Sequence, residues 1–135
     1  MTTDAELFKI LSDASSGLLY QTELDYPFEV IIHGNTNKTA INKETILKLM
    51  KGSPEDVVEE SDIDTFFSTP TLDQDWHSPE DKKRVARFRN LVSSIKTNFK
   101  EIRVFKKGRI YIDVYITGRA PSGNIAVVST KLMQT

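Results

Sequence analysis

RIYIDVYITGRAPSGNIAVVSTKL, residues 109–132, is the stretch that decides the fold. Ile110, Ile112, Val114 and Ile116 alternate with Arg109, Tyr111, Asp113 and Tyr115, the period of an extended strand whose side chains point to opposite faces. The pattern predicts a central strand over Arg109–Thr117. Pro121-Ser122-Gly123 marks a turn within Gly118–Asn124, and Ile125–Leu132 reads as a further strand. Upstream, Ile102 and Val104 run into a Lys107-Gly108 turn, which makes the central strand one arm of an antiparallel hairpin.

Ahead of this strand region lies the longest helical pattern. Ser78-Pro79-Glu80-Asp81 has a cap residue, a first-turn proline and acids facing the positive end of the helix dipole. Val85, Phe88, Leu91, Val92, Ile95 and Phe99 form its apolar stripe, while Lys82, Lys83, Arg84, Arg87 and Arg89 lie largely off it. Such a basic face can bind phosphate, but it has no aromatics for stacking bases, and a solvated face is the plainer reading. Before the helix comes STPTLDQDWHSP, Ser68–Pro79, which has no apolar period and carries the chain's one tryptophan, Trp76. Loops of that length inside a domain are usually functional or disordered, and Trp is the residue most often found anchoring one protein on another. Two readings stand: Trp76 folds back onto the core, or it belongs to a contact loop.

The amino-terminal half is mixed. Thr3-Asp4-Ala5-Glu6 is a capping box, followed by Leu7, Ile10, Leu11 and Ala14 on one helical face, with Gly17 suited to the left-handed cap. Leu18–Tyr20 is a short apolar run, Pro27 marks a turn or strand edge, and Phe28, Val30 and Ile32 alternate with Glu29, Ile31 and His33. Asn42 caps a helix carrying Ile46, Leu49 and Met50 that Gly52 stops, and Val57–Glu60 reads as an edge strand. In the next segment Asp64 is expected to cap one short turn while Phe66 and Phe67 are buried.

A chain of 135 residues fits one domain with one sizeable core. It has no cysteine, so disulfide frameworks and thiol chemistry are excluded. The first twenty residues lack a secretory pattern and no segment has the apolar length of a membrane span, so a cytoplasmic protein is the expectation. The net charge of −1 hides an asymmetry: residues 1–75 hold five basic against fifteen acidic side chains, residues 76–135 thirteen against four. Folding either separates these halves into an acidic and a basic pole or intermixes them.

Catalytic constellations are hard to find. His33 and His77 have neither metal-site spacing nor a nucleophile elbow beside them, and the six glycines form no phosphate cradle. Asp62 with Asp64, and Asp73 with Asp75, have the spacing of a metal-binding DxD, a very weak signal. A non-enzymatic protein is expected, with no cofactor and no metal of its own.

Three stretches together are similar to a known family: GLLYQTELDYPFEV at 17–30, DIDTFFSTPTLDQDW at 62–76 and DVYITGRAPSGNIAVVSTKLMQT at 113–135. They resemble the nuclease A inhibitor (NuiA) family of cyanobacteria and other bacteria. The resemblance implies a single-domain α/β/α sandwich of the α+β kind, with an antiparallel or mixed sheet and an architecture like the plant pathogenesis-related PR-1 proteins. It implies inhibition of a sugar-nonspecific, metal-dependent ββα-metal nuclease by plugging its active site, with a DNA/RNA endonuclease as protein partner. By position the gripping residues correspond to Glu23, to Gln74, Asp75 and Trp76, and to Thr135. Glu23 and a carboxylate at Thr135 would lie near the nuclease's magnesium and cations, Trp76 would supply apolar contact, and Gln74 and Asp75 would orient the rim. A monomer that does not touch nucleic acid directly is expected; the alternative is a binding module of the same fold with another protein or nucleic-acid partner. This chain departs from the family in having Gln134 where an acid precedes the terminal Thr.

Overall fold

The alternating stretch forms the middle strand of the larger sheet in the computed structural model, which describes residues 3–16, 18–20, 26–52, 58–67 and 78–133. In chain order the elements are α1 (Asp4–Ser15), β1 (Leu19–Tyr20), β2 (Tyr26–Pro27), β3 (Glu29–His33), α2 (Lys43–Leu49), β4 (Val58–Ser61), α3 (Ile63–Phe66), α4 (Pro79–Asn98), β5 (Lys100–Lys107), β6 (Tyr111–Arg119) and β7 (Ile125–Met133). Among the described residues, β3-β7-β6-β5-β4 make one antiparallel sheet of five strands, and β1 pairs with β2 beside it.

Period-two patterning then builds two cores. Ile112, Val114 and Ile116 of β6 join Ala126, Val128 and Leu132 of β7 under Leu7 and Leu11 of α1, Ile63 and Phe66 of α3, and Phe88, Leu91 and Ile95 of α4. Tyr115, Phe105, Ile125 and Val127 point the other way and meet Ile41 and Ile46, with Leu49, Met50 and Val58 at their margin. The result is a three-layer α+β fold, with α1, α3 and α4 on one face of the sheet and α2 on the other.

Helix boundaries follow local chemistry. The Thr3 hydroxyl accepts from the Glu6 amide at 3.1 Å, as the capping box requires. Asn42 accepts from the Thr45 amide at 2.9 Å to open α2. That helix closes with Gly52 N–H donating to Leu47 O at 2.7 Å and Lys51 N–H to Lys48 O at 3.3 Å, so the left-handed residue is Lys51, at φ 60°, and not Gly52. α3 corrects another expectation: its cap is Asp62, which accepts from the Thr65 amide at 2.8 Å and from the Thr65 hydroxyl at 2.9 Å, while Asp64 lies inside the helix. These bonds to the ionised carboxylate hold the Asp62 acid below the usual carboxylate range. On α1, Ile10 is exposed although it falls within the apolar spacing, because Leu7, Leu11 and Ala14 are enough to fill the seam against α4.

The strand limits also shift. Ile110 falls in the β5–β6 turn and is exposed, and Gly118 and Arg119 continue β6 where a turn is predicted. A bulge explains the second change: β5 pairs Lys100 with Arg119 and Arg103 with Thr117, so Glu101 and Ile102 together face Gly118. Glu101 takes φ 54° there. The extra residue inverts the alternation of β5, which puts Phe99 and Val104 in the same core despite their unlike parity. Phe99 fits because Gly118 has no side chain: a Cβ there would stand 2.6–2.8 Å from three atoms of Phe99.

At this bulged end the loops are fastened by polar contacts. The Arg119 guanidinium donates to the carbonyls of Thr36 (3.3 Å), Asn37 (3.4 Å), Gly123 (3.0 Å) and Thr39, and to the Glu101 carboxylate (3.3 Å). Asn124 donates to Asp4 at 3.0 Å and accepts from the Thr36 amide at 3.2 Å, which ties α1 to both turns. His33 borders this region; its Nε2 is buried without a hydrogen-bond partner, and desolvation pushes its pKa down from the ordinary value.

Two outcomes are expected. Gly118→Ala should lower stability by about 2 kcal/mol by forcing Phe99 out of place, read as a shift in the urea midpoint at unchanged slope. Because folding keeps His33 neutral while the unfolded chain takes up its proton, its contribution is complete above the imidazole's ordinary value near 6.5 and is lost as pH falls below it. His33→Gln should flatten the stability profile just below about pH 6.5, and an unchanged slope there would refute the assignment.

Candidate functional site

Glu23, Gln74, Asp75, Trp76 and Thr135, the residues singled out as a gripping surface, all lie outside the described residues, as do His77, Asp73 and Gly17. What the structure places is the flank of each segment that carries them, and these flanks are brought to one end of the sheet.

The segment with Glu23 leaves from Tyr20 and returns at Tyr26, and those two residues are direct cross-strand partners. Pro27 is held against the last part of β7, where the Thr130 hydroxyl donates to its carbonyl at 3.2 Å. Phe28 follows, and its ring stacks on Phe67 at 6.2 Å with a 26° interplanar angle and meets Phe88 edge-on at 6.2 Å. Phe67 is the last described residue before the segment with Trp76, and it packs on both Phe66, at 4.8 Å, and Phe88, at 6.2 Å. Beyond that segment, Ser78 accepts the first bond of α4 from the Lys82 amide at 3.0 Å. Met133, two residues before Thr135, pairs with Tyr111 at the start of β6. Chain segments remote in sequence thus converge around Phe28 because aromatic rings from β3, α3 and α4 share one apolar cluster.

The described side chains at this end are largely basic. Lys106 lies over the Phe66 ring at 5.7 Å from its centroid, and its cross-strand partner is Glu59. On the opposite face Asp113 stands between Lys107, at 3.6 Å, and Lys131, at 4.0 Å. Sequence reasoning missed this row; its signal is that Lys107, Asp113 and Lys131 are cross-strand neighbours once the register is known. The basic helix face is partly engaged elsewhere. Arg87 donates to the Asp13 and Ala14 carbonyls at 3.5 Å, closing the carboxyl end of α1, and Lys96 holds Asp64 at 2.6 Å. Lys96–Asp64 and Arg103–Glu60 join the acidic and basic halves of the chain, so folding intermixes them in part.

Among the described residues no group of three His, Cys, Asp or Glu side chains is placed to hold a metal ion, and no helix is long and apolar enough to cross a membrane. The class so defined is a three-layer α+β protein that gathers several loop flanks at one end of an antiparallel sheet. Residues 5–135 match the family model described as nuclease A inhibitor-like protein, and the chain belongs to that family. No curated protein matches it.

If Phe28 is the junction of these flanks, Phe28→Ala should cost about 3 kcal/mol. It should also speed amide exchange at Tyr20, Tyr26 and Phe67 more than at Val114 in the centre of the sheet. Equal acceleration at all four would mean that the ring only contributes to global stability.

Proposed function

We propose that this protein inhibits a sugar-nonspecific, metal-dependent nuclease of the ββα-metal class by occupying its active site, with Glu23, Gln74, Asp75, Trp76 and Thr135 as contact residues. The family match supports an inhibitor, and the observation that carries the choice of surface is the convergence of the three loop flanks around Phe28. A nuclease cleft is lined with cations that hold phosphate, so an inhibitor gains by presenting oxygen anions where phosphates bind. Glu23 would supply charge, Trp76 a large contact at low entropic cost, and Gln74 and Asp75 would orient the rim. The protein acts in this reading as one domain, as a monomer in the cytoplasm, without catalysis or a cofactor of its own. The layer order is consistent with kinship to the PR-1 sandwiches.

Arg87 and Lys96 already have partners within the fold, which weakens the rival reading of the long helix as a nucleic-acid contact.

The reading is tested by titrating the purified protein against a magnesium-dependent nuclease of this class digesting plasmid DNA. Trp76→Ala should weaken inhibition by more than about 2 kcal/mol, roughly thirtyfold, and deletion of Thr135 should weaken it as well. Parent-like inhibition by both variants would put the surface elsewhere.

A further inference from the structure

Four large apolar side chains are exposed among the described residues, and two of them are neighbours: Ile110 at 56% and Tyr111 at 67%. The other two, Phe8 and Ile10, are two positions apart on α1, which places them on different sides of the helix, and scattered apolar residues of that sort are ordinary. Ile110 and Tyr111 form the tip of the β5–β6 hairpin, and from Ile112 onward the apolar residues of β6 are buried. The tip is also shaped by the backbone. Gly108 takes φ +117°, and a Cβ there would lie 2.3 Å from the Tyr111 carbonyl oxygen, so glycine is what lets this turn close. The exposed pair is therefore held in place before any partner arrives, which lowers the ordering cost of binding.

Position says which partner. Tyr111 is the cross-strand partner of Met133, and the two residues from there to Thr135 span at most about 7 Å. With about 5 Å between cross-strand partners, a protein that engages Thr135 comes within about 12 Å of the Tyr111 backbone. Charge says how. Arg109 stands in the turn, next to Lys106, which faces Glu59, and Lys107, which is paired with Asp113, and a cation-lined cleft would repel the Arg109 charge. The tip fits beside such a cleft, on a rim that offers an apolar side chain flanked by carboxylates.

We propose that Arg109, Ile110 and Tyr111 form a second contact of the inhibitory surface, docking on an apolar, acidic rim of the nuclease next to the active site. This rests on the function proposed above and adds to it a specificity element: Glu23, Gln74, Asp75, Trp76 and Thr135 would address what such nucleases share, and the hairpin tip what differs between them.

The test uses the same titration with three variants: Trp76→Ala, the double variant Ile110→Ser with Tyr111→Ser, and Arg109→Glu. Both tip variants should keep the parent melting temperature, since these side chains contribute little to the core. The double variant should weaken inhibition about tenfold or more, the scale of one apolar anchor. Arg109→Glu should weaken it by at least threefold at low salt, with the difference shrinking as salt is added. A parent that inhibits, a weakened Trp76→Ala and a double variant within twofold of the parent would overturn this inference while leaving the proposed function intact. An Arg109→Glu variant within twofold at low salt would overturn the acidic rim. A parent that inhibits no nuclease of the class would sink the inference together with the reading on which it rests.

Discussion

The stacking of Phe28 on Phe67 is the contact on which the candidate surface depends. Phe28 stands where β3 begins and Phe67 where α3 ends, so their contact, completed by Phe88 of α4, joins three elements that no local interaction would bring together. Each aromatic pair adds only about 1 kcal/mol beyond the apolar area that it buries. Their effect comes from position, because Phe28 and Phe67 stand close in sequence to the segments that carry the candidate contacts, and Phe88 in the middle of α4 receives both.

Much of this frame was legible in the sequence. Thr3 and Asn42 cap their helices as their spacing with Glu6 and Thr45 demands, because capping is a contact between residues three apart and needs no tertiary information. The alternation in residues 109–132 correctly marked β6 as a central strand, and the run after the turn as a further strand, because a period of two is written in the residues themselves. What escaped was set by distant partners. Ile10 belongs to an apolar stripe whose seam was already filled, and Ile110 to a strand that ends early because Gly108 turns the chain. The bulge at Glu101 and Ile102 has no sequence signal of its own: the reason for it is Phe99, which needs to reach the same core as Val104. Asp62 and Asp64 were equally good caps on composition, and only the start of the helix chose between them. Of the five proposed contact residues, Trp76 was marked by its aperiodic loop, and Glu23, Gln74, Asp75 and Thr135 were singled out only through resemblance.

The charge asymmetry of the chain has a structural use that the sequence left open. β4 is an edge strand with Glu59 and Glu60 among its four residues, and it pairs with β5, where Arg103 and Lys106 are their counterparts. Opposite charges across an edge favour the intended register and discourage pairing with another chain. The Arg103–Glu60 pair is partly exposed, and such pairs contribute at most about 1 kcal/mol, so its value lies in register more than in stability. Lys96–Asp64 similarly holds the short α3 to the long α4.

The two ends of the sheet are built on different principles, and the difference bears on recognition. At the end that carries Asn124 and Gly123, Arg119 alone satisfies four backbone carbonyls, and Asp4 bonds to both Ser122 and Asn124. A partner seated there would have to replace charge-assisted bonds between part-buried or exposed groups that already exist. At the opposite end the described turn is held by backbone geometry, through Gly108, with Ile110 and Tyr111 left in water. A partner there displaces water from the apolar surface of Ile110 and Tyr111. Among the described residues the Arg119 and Asp4 bonds fasten one end, while at the other the Lys107–Asp113–Lys131 row lies beside an exposed apolar tip.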